Sequence, residues 1–255
     1  MTKLTTYKNT VYKNGQRWDN EHWWYKKDLD FWKNIVAESS GKKVLELASG
    51  TGRIALPLVR EGAEYTGIEL SKDFCKTAEQ KLKSYPNTKI INGDMRDFNL
   101  NKKFDLVFIG FNSFLHLLTD NDAQNFLECV KKHLHENSRF IIEIFVPNPL
   151  FLHRPDGMRF STMEFTDSKT GETVSIEETN EYNPETEVNY ITWYYSTHKK
   201  KDFDILQFSL RMFYPDTMNR LLIDNGFTIL DVWGDYYRTQ FNEESKLQIY
   251  NCSIF

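Results

Sequence analysis

The stretch VLELASGTGR, residues 44–53, predicts the fold of this chain. An apolar run ends there in a turn of small residues, and the sequence beyond the turn has a helical pattern. Gly50 and Gly52 allow positive φ angles, so amide groups at the start of the helix can face a ligand without a Cβ in the way. A pair of glycines fits an ordinary strand-to-helix turn about as often as a cofactor site, so the surrounding sequence must decide.

Three further predicted strands lead into polar or glycine-containing turns. Residues 65–70 lead to Glu69 and the helix cap Ser71, residues 89–92 lead into GDMR at 93–96, and residues 104–109 lead into GFNSF at 110–114. In an open parallel sheet, ligands bind beyond the carboxyl ends of the strands, where the strand order reverses. The four strand ends therefore predict one shared ligand site.

The glycine spacing leaves two cofactors open. Gly50, Gly52 and Ala55 also satisfy the dinucleotide pattern G-x-G-x-x-A, and Glu69 follows at about the distance expected for a nicotinamide ribose contact. Spacing alone therefore does not exclude an NAD-dependent oxidoreductase. That class predicts a tyrosine-lysine pair for hydride transfer or a substrate domain, and the sequence shows neither.

Two carboxylates favour a different cofactor. Glu46 lies inside the first strand, where a dinucleotide fold has no use for a buried acid but a cofactor with an ammonium group does, directly or through water. Asp94 and Met95 offer an acceptor for an adenine amino group beside an apolar contact. This combination favours S-adenosylmethionine.

With these segments the chain resembles the class I S-adenosylmethionine-dependent methyltransferases, in particular a widespread bacterial group of small-molecule enzymes. The resemblance covers nearly the whole length, and it rests on residues 25–32, 44–57, 67–71, 93–98, 111–118 and 234–237. It implies an α/β fold with a doubly wound, mostly parallel, seven-stranded Rossmann-like sheet whose last strand pair is antiparallel. It also implies methyl transfer to a nitrogen or oxygen of a small-molecule acceptor, with S-adenosylhomocysteine as the product.

The resemblance also implies a set of cofactor-binding residues. Glu46, Gly50 and Gly52 would surround the methionine part, Glu69 the ribose hydroxyls, and Asp94 with Met95 the adenine. Ala48 stands where such enzymes usually carry glycine, and its added methyl puts the affinity for the cofactor in question. The expected set is Tyr25, Glu46, Ala48, Ser49, Gly50, Gly52, Arg53, Glu69, Leu70, Asp94, Met95, Arg96 and Phe111.

Methyl transfer from a sulfonium is an in-line displacement, so the site must align the reactants and exclude water. Trp23, Trp24 and Tyr25 precede the first strand, and by family likeness this segment folds over the cofactor, where a ring can meet a cation. Packing of an aromatic helix face against the sheet is an equal expectation for Trp23 and Trp24. Tyr25 is the favoured catalytic residue of the three, and Trp24 is expected at the substrate.

Asn112 and His116 are expected to act on the acceptor, since four-residue spacing places them on one face of a helix that begins at Ser113. An imidazole titrates near neutral pH, so His116 is a candidate base; positioning of the substrate is the alternative. Tyr237, followed by Arg238, is expected to close the substrate pocket from the other side.

Whole-chain properties bound the class of protein. The 255 residues carry a net charge of −4, and no metal site is expected, because Cys75, Cys129 and Cys252 have no ligand spacing. His133 and His135 are expected at the surface rather than as ligands. We expect a cytoplasmic enzyme, because the cysteines are expected to be reduced thiols. Residues 1–8 also lack the apolar core of a signal peptide, and no later run is long enough to span a membrane.

Small-molecule methylation is favoured over nucleic-acid methylation. The fourth strand ends in FNSF instead of the Asn-Pro-Pro-aromatic motif of DNA amino-methylating enzymes, and no basic stripe accompanies it. A tRNA substrate stays open, as does a non-catalytic cofactor-binding protein, and a monomer and a homodimer are both compatible with the sequence.

Three regions are predicted. Residues 1–150 form the cofactor-binding core with an N-terminal helical cap, and prolines after residue 145 mark its end. Residues 151–214 form an antiparallel β insertion over the cofactor edge of the sheet, which serves as a lid or a dimer surface. Residues 215–255 return to the core with a helix and the last two strands.

Overall fold

The computed structural model describes residues 10–254, which form α-helices and β-strands. The α-helices are α1 Gly15–His22, α2 Leu29–Glu38, α3 Ala55–Arg60, α4 Lys72–Leu82, α5 Asp120–Lys132, α6 Pro149–Leu152 and α7 Pro215–Asp224. The strands are β1 Lys43–Leu47, β2 Glu64–Glu69, β3 Thr88–Asn92, β4 Phe104–Ile109, β5 Leu134–Phe145, β6 Phe160–Thr166, β7 Thr173–Asn183, β8 Val188–Ser196, β9 Asp204–Arg211, β10 Thr228–Trp233 and β11 Leu247–Ser253. Short 3-10 helices lie at Val11–Lys13 and Ser113–His116.

The main sheet has the strand order β10-β11-β5-β4-β1-β2-β3. Its strands are parallel, except that β11 pairs antiparallel with both β5 and β10. The order reverses between β1 and β4, and a crevice at such a point is where open α/β sheets bind ligands. The predicted seven-stranded, mostly parallel, doubly wound sheet is confirmed.

Apolar side chains cover both faces of this sheet, which explains why its central strands are almost continuously apolar. On one face Phe126 and Phe140 belong to a buried cluster with the residues of α5 and α7. On the other face Trp32 of α2 stacks on Phe108 of β4 with ring centroids 4.4 Å apart. The strand ends are therefore held by a core on either side.

The helices that follow the strands begin and end near the predicted positions. Ser71 caps α4 as expected, with its Oγ accepting a hydrogen bond from the backbone N–H of Phe74. The helix after β1 does not start directly at the glycine turn, because residues 50–54 form turns and the α-helix begins at Ala55. This turn shapes the floor of the site described below.

The region after β5 contains the predicted antiparallel meander as a second sheet, β6-β7-β8-β9. It has its own apolar cluster, which includes Phe165 and Trp193. Arg17 attaches α1 to this second sheet. Its side chain donates to Asp204 at 2.5 Å, and its guanidinium carbon lies 3.7 Å from the ring centroid of Tyr195.

One prediction outside the site was wrong. His133, expected at the surface, is fully buried and stacks on Phe98 with centroids 4.6 Å apart. Its Nε2 accepts from the N–H of Leu100 at 2.9 Å and its Nδ1 donates to the carbonyl of Cys129 at 2.6 Å, so a neutral ring has both nitrogens satisfied. Amphipathic spacing on α5 could not show that the residue just after the helix turns inward.

Two remaining expectations concern metals and membranes. Within residues 10–254, histidines, cysteines and acids form no cluster that could hold a metal ion. Every helix in the same range is too short or too polar to cross a bilayer. The expectation that residues 1–8 lack the apolar core of a signal peptide concerns residues outside the described range.

Candidate active site

A cavity of about 630 Å³ opens at the carboxyl ends of β1, β2 and β4. We call its lower side the floor: residues 46–51 and 53 with the strand ends at 68–70, 93–96 and 110–113. We call its upper side the roof: Val11, Tyr12, Trp18, His22, Met163, Trp193, Phe208 and Leu210. The floor comes from the main sheet, and the roof comes from the N-terminal segment and the second sheet.

The turn after β1 presents backbone to the cavity. Ala48, Gly50 and Gly52 have φ angles of 54°, 58° and 78°, in the left-handed region that favours glycine. A Cβ added at Gly50 would meet no atom within 4 Å, so this glycine faces open space. Gly52 serves packing instead: its added Cβ would lie 3.4 Å from the Cβ of Ala78 on α4, and Gly52 does not line the cavity.

Glu69 at the end of β2 fastens this turn. Its Oε2 accepts from the N–H of Gly50 at 2.9 Å and its Oε1 accepts from the N–H of Ser71 at 2.7 Å. Burial raises the pKa of Glu69, and the two N–H donors oppose that rise. Each carboxylate oxygen keeps a free lone pair, so Glu69 can accept from a diol that lies against the floor.

Glu46 is a second carboxylic acid that lines the cavity. It is buried inside β1, and its Oε2 accepts from the hydroxyl of Tyr65 at 2.5 Å. Burial raises the pKa of Glu46 to about 8, so its side chain is mostly protonated at neutral pH. A cationic ligand beside it would draw the proton off, because an opposite charge favours the carboxylate.

The ends of β2 and β3 combine an acid with apolar side chains. Leu70 is 67% exposed in the direction of the cavity that it lines, and Met95 lies nearby on the same floor. Arg96 donates to Asp94 and lowers the pKa of that carboxyl group. Arg96 also donates to Asp122 at 2.7 Å, so both acids neutralise one guanidinium.

Arg53 is held beneath two aromatic rings. It donates to both carboxylate oxygens of Asp28, at 2.7 and 2.8 Å. Its guanidinium carbon lies 5.0 Å from the ring centroid of Tyr25 and 4.9 Å from that of Phe111. The hydroxyl groups of Tyr25 and Tyr236 are 2.8 Å apart, so Tyr25 is fixed at both its ring and its hydroxyl.

Two consecutive non-glycine residues at the end of β4 are in the left-handed region. Phe111 has a φ of 52° and Asn112 a φ of 62°. The buried carboxylate of Glu143 accepts from the N–H of Phe111 at 2.5 Å, and Asn112 Oδ1 accepts from the N–H of Phe145 at 2.7 Å. These bonds hold a strained turn, and they leave the Asn112 amide Nδ2 as its remaining donor.

His116 is enclosed, and both of its ring nitrogens are engaged. Its Nε2 lies 2.7 Å from the hydroxyl of Tyr12 and its Nδ1 lies 3.2 Å from the carbonyl oxygen of Ser209. A carbonyl only accepts, so Nδ1 carries the proton and Nε2 accepts from Tyr12. Desolvation lowers the pKa of His116 to about 4, which makes the ring neutral at pH 7.

A continuous aromatic wall runs from His116 to Tyr25. Tyr12, Trp18 and Phe74 are in mutual ring contact, with centroids 5.4 to 5.7 Å apart. His22 stacks on Trp18 at 3.9 Å and reaches Phe111, and burial lowers the pKa of His22 to about 4. The wall is therefore aromatic and uncharged at neutral pH.

The N-terminal segment is attached to both sides of the cavity. The backbone N–H of Thr10 donates to the carbonyl of Gln207 on β9 at 2.9 Å. The hydroxyl of Ser71 donates to the carbonyl of Tyr12 at 2.6 Å. The roof is thus closed across the end of β2.

The structure brings most of the predicted residues together at this cavity. Those that line it are Trp24, Tyr25, Glu46, Ala48, Ser49, Gly50, Arg53, Glu69, Leu70, Asp94, Met95, Arg96, Phe111, Asn112 and His116. Tyr237 is 93% exposed and lies away from the cavity, and Arg238 pairs with Glu38. The preceding residue, Tyr236, points inward to Tyr25, because successive residues of this turn face opposite sides.

Several residues that line the cavity were not predicted from the sequence. Tyr12, Trp18 and His22 come from the N-terminal segment, and the roof of the second sheet adds Met163, Trp193, Phe208 and Leu210. Glu143 was detectable, because it is an acid inside the apolar run FIIEIF, as Glu46 is inside VLEL. The roof residues carry no comparable signal, since apolar side chains on a strand are ordinarily core.

Comparison with known proteins identifies the class. Residues 44–137 match the family model described as a methyltransferase domain. This segment is a methyltransferase domain. Its class uses S-adenosylmethionine as the methyl donor. The match covers β1 to β5, the segment that contains the whole floor.

Individual relatives agree with this family. The methyltransferase is 25% identical to the Bacillus subtilis protein YqeM, itself named as a methyltransferase, over 85% of this chain and 87% of that protein. It is 31% identical to a dTDP-3-amino-3,4,6-trideoxy-alpha-D-glucopyranose N,N-dimethyltransferase of Streptomyces venezuelae, over 39% of this chain and 41% of that enzyme. The fold matches that of the CcbJ methyltransferase from Streptomyces caelestis with a TM-score of 0.80 at 20% identity, over 96% and 98% of the two chains.

The floor of this methyltransferase fits S-adenosylmethionine chemically. The open face of Gly50 gives a polar ligand direct access to backbone, and Glu69 has spare acceptor capacity beside it. Leu70 and Met95 provide apolar contact next to the carboxylate of Asp94, a set suited to a purine with an exocyclic amine. The donor and acceptor types of the floor therefore match the parts of this cofactor.

Proposed function

We propose that this methyltransferase transfers the methyl group to a nitrogen of a small-molecule acceptor held between the floor and the roof. The observation that carries the choice of nitrogen is the state of His116. Its Nε2 is taken by the hydroxyl of Tyr12, and its low pKa makes it a poor proton acceptor at neutral pH. A neutral amine needs no base to attack, whereas a hydroxyl group does.

The proposed cofactor contacts follow the floor. Glu69 would hold the ribose hydroxyls, Asp94 with Met95 and Leu70 the adenine, and Gly50 with Glu46 the methionine part. Bound S-adenosylmethionine supplies an electrophilic methyl group for an in-line displacement. The chain itself aligns the acceptor and keeps water out.

Three residues are proposed to act on the reacting groups. Tyr25, fixed by Arg53 and Tyr236, would present its ring to the cationic donor. Asn112 would use its amide Nδ2 to orient the acceptor. His116 would position the acceptor through Tyr12, whose oxygen keeps lone pairs after its hydroxyl hydrogen goes to Nε2.

The proposal extends to partners and location. A small acceptor is supported over nucleic acid because the roof covers the site and Arg53 and Arg96 are already paired with acids. An N-acceptor also agrees with the Streptomyces venezuelae relative, which is named as an N,N-dimethyltransferase. A cytoplasmic location is supported by Cys75, Cys129 and Cys252, which are free and buried. A monomer or a homodimer remains the expectation for assembly.

Calorimetric titration tests the cofactor part of this proposal. S-adenosylmethionine and S-adenosylhomocysteine should both bind, and NAD should give no heat. Labelled S-adenosylmethionine should then transfer its methyl group to amines in a small-molecule panel and leave matched alcohols unlabelled. Binding of NAD without binding of S-adenosylhomocysteine, or exclusive labelling of alcohols, would refute it.

A further inference from the structure

The charges that line the cavity restrict which nitrogen-containing acceptors it can bind. Among the described residues that line the cavity, the lysine and arginine side chains are Arg53 and Arg96. Arg53 forms a two-oxygen pair with Asp28, whose side chain is fully buried. Arg96 is shared by Asp94 and Asp122. Each guanidinium already has its own counterion.

The remaining lining adds no positive charge. His22 and His116 are neutral at pH 7, because burial lowers the pKa of each to about 4. The two acids around Arg96 are paired with it, and Glu69 accepts from two backbone N–H groups. An incoming phosphate or carboxylate would lose its water shell without gaining a free cation, and burial of an unpaired anion is strongly unfavourable. The cofactor's own carboxylate would compete for any donor capacity left on Arg53.

The surface offered to the acceptor is apolar and ring-shaped. Tyr12 and Trp18 form one side, and Met163, Trp193 and Phe208 form another. Such walls favour a flat or apolar ring through stacking and burial of apolar area. They offer nothing specific to a diphosphate.

Resting on the proposed function, we propose that the acceptor is a neutral, ring-containing small-molecule amine that carries no phosphate, nucleotidyl or carboxylate group. The Streptomyces venezuelae relative is named for a dTDP-linked amino sugar. The inference therefore separates this chain from that relative by acceptor class.

A matched pair of probes tests the inference directly. Aniline and 4-aminobenzoate present the same aromatic amine, and the second adds only a carboxylate. With labelled S-adenosylmethionine, methyl transfer to aniline should exceed transfer to 4-aminobenzoate at least about tenfold. Equal rates, or preference for 4-aminobenzoate, would overturn the inference.

Binding of anions supplies a test that does not depend on turnover. Phenyl phosphate and dTDP, titrated into protein saturated with S-adenosylhomocysteine, should bind in the millimolar range or weaker. Asp122→Asn removes one counterion of Arg96 and should strengthen phenyl phosphate binding about fivefold. Asp120→Asn is the matched control, because Asp120 begins the same helix and pairs with Arg211, outside the cavity. Micromolar binding of either anion to the unsubstituted protein would overturn the inference.

A cell extract treated with labelled S-adenosylmethionine gives the third readout. After passage over a strong anion exchanger, the labelled product should appear in the unretained fraction, and retention would overturn the inference. Failure of the proposed function looks different. In that case S-adenosylhomocysteine does not bind or no amine is labelled, while phenyl phosphate titrated into the unliganded protein still decides whether the cavity rejects anions.

Discussion

The floor and the roof of the cavity are built on different principles. The floor offers backbone N–H groups and carboxylates, such as Gly50 and Glu69, that are fixed to each other by hydrogen bonds. The roof offers rings and a thioether, such as Trp18 and Met163, and is polar mainly at Tyr12. Fixed polar groups select one ligand by geometry, whereas apolar walls select by shape and by absence of charge. The floor is therefore suited to a constant cofactor and the roof to a particular acceptor.

If this division holds, substitutions in the floor should change cofactor binding, and substitutions in the roof should change acceptor use alone. The largest effect is expected for Glu69→Ala, which removes the acceptor of the ribose and releases the N–H groups of Gly50 and Ser71. The affinity for S-adenosylhomocysteine should fall by about 3 kcal/mol, or more than about 100-fold. Calorimetry measures it, with Glu64→Ala at the other end of β2 as control. Unchanged affinity would remove Glu69 from the site.

The second test uses pH and His116, which contacts the roof through Tyr12. His116 titrates near 6.5 in the unfolded chain and near 4 in the folded one, so folding opposes its protonation. Stability from this group is complete above pH 6.5 and is lost as the pH falls towards 4, by about 3 kcal/mol. Denaturant unfolding of His116→Gln should therefore show a weaker loss between pH 7 and pH 4 than the parent protein.

The same variant separates floor from roof. Affinity for S-adenosylhomocysteine should stay within about twofold, while turnover of the amine falls. A parallel loss of pH dependence and cofactor affinity would mean that His116 supports the floor as well, and the division would not hold.

Met163→Ala tests the roof by size. Met163 lines the cavity from β6, and loss of its side chain removes apolar contact with the acceptor. The KM for the amine should rise about tenfold, with no change in cofactor affinity. Met158→Ala, at a half-exposed methionine outside the cavity, is the control. An equal effect of both variants would show that general destabilisation, not contact, raises the KM.

The smallest effect is expected for Ala48→Gly in the floor. Ala48 holds a φ of 54°, so glycine relieves left-handed strain and should stabilise the fold by about 0.5–1 kcal/mol. Removal of the methyl group should also tighten S-adenosylhomocysteine binding slightly. Asn101→Gly relieves a similar φ of 50° away from the cavity, and thermal melts with and without ligand compare the two. A gain in ligand affinity in Asn101→Gly would contradict the assignment to Ala48.

The same contrast explains what could be predicted from the sequence. The floor consists of strand ends, and a strand, its turn and its acid are adjacent in the chain, so Glu69 and Asp94 were predictable. The roof joins residues 11–22 to residues 163–210, and nothing local says that these segments meet. Tyr237 failed for a related reason, since a shift of one residue in a turn reverses the direction of a side chain.

Gly52 and Glu143 show a subtler limit. Gly52 belongs to the predicted motif but serves the packing of α4, which only three-dimensional contact reveals. Glu143 is detectable as an acid inside an apolar run, but its contact with the turn at Phe111 depends on the shape of the backbone there.

Thr10 forms hydrogen bonds with Gln207, which lies 197 positions further along the chain. A ribosome must therefore finish most of this polypeptide before the first described residues find their partner on β9, because synthesis proceeds from the amino terminus. The central strands can pair earlier, since their contacts are closer in sequence. A nascent chain thus forms the proposed cofactor platform before the proposed enclosure for the second substrate.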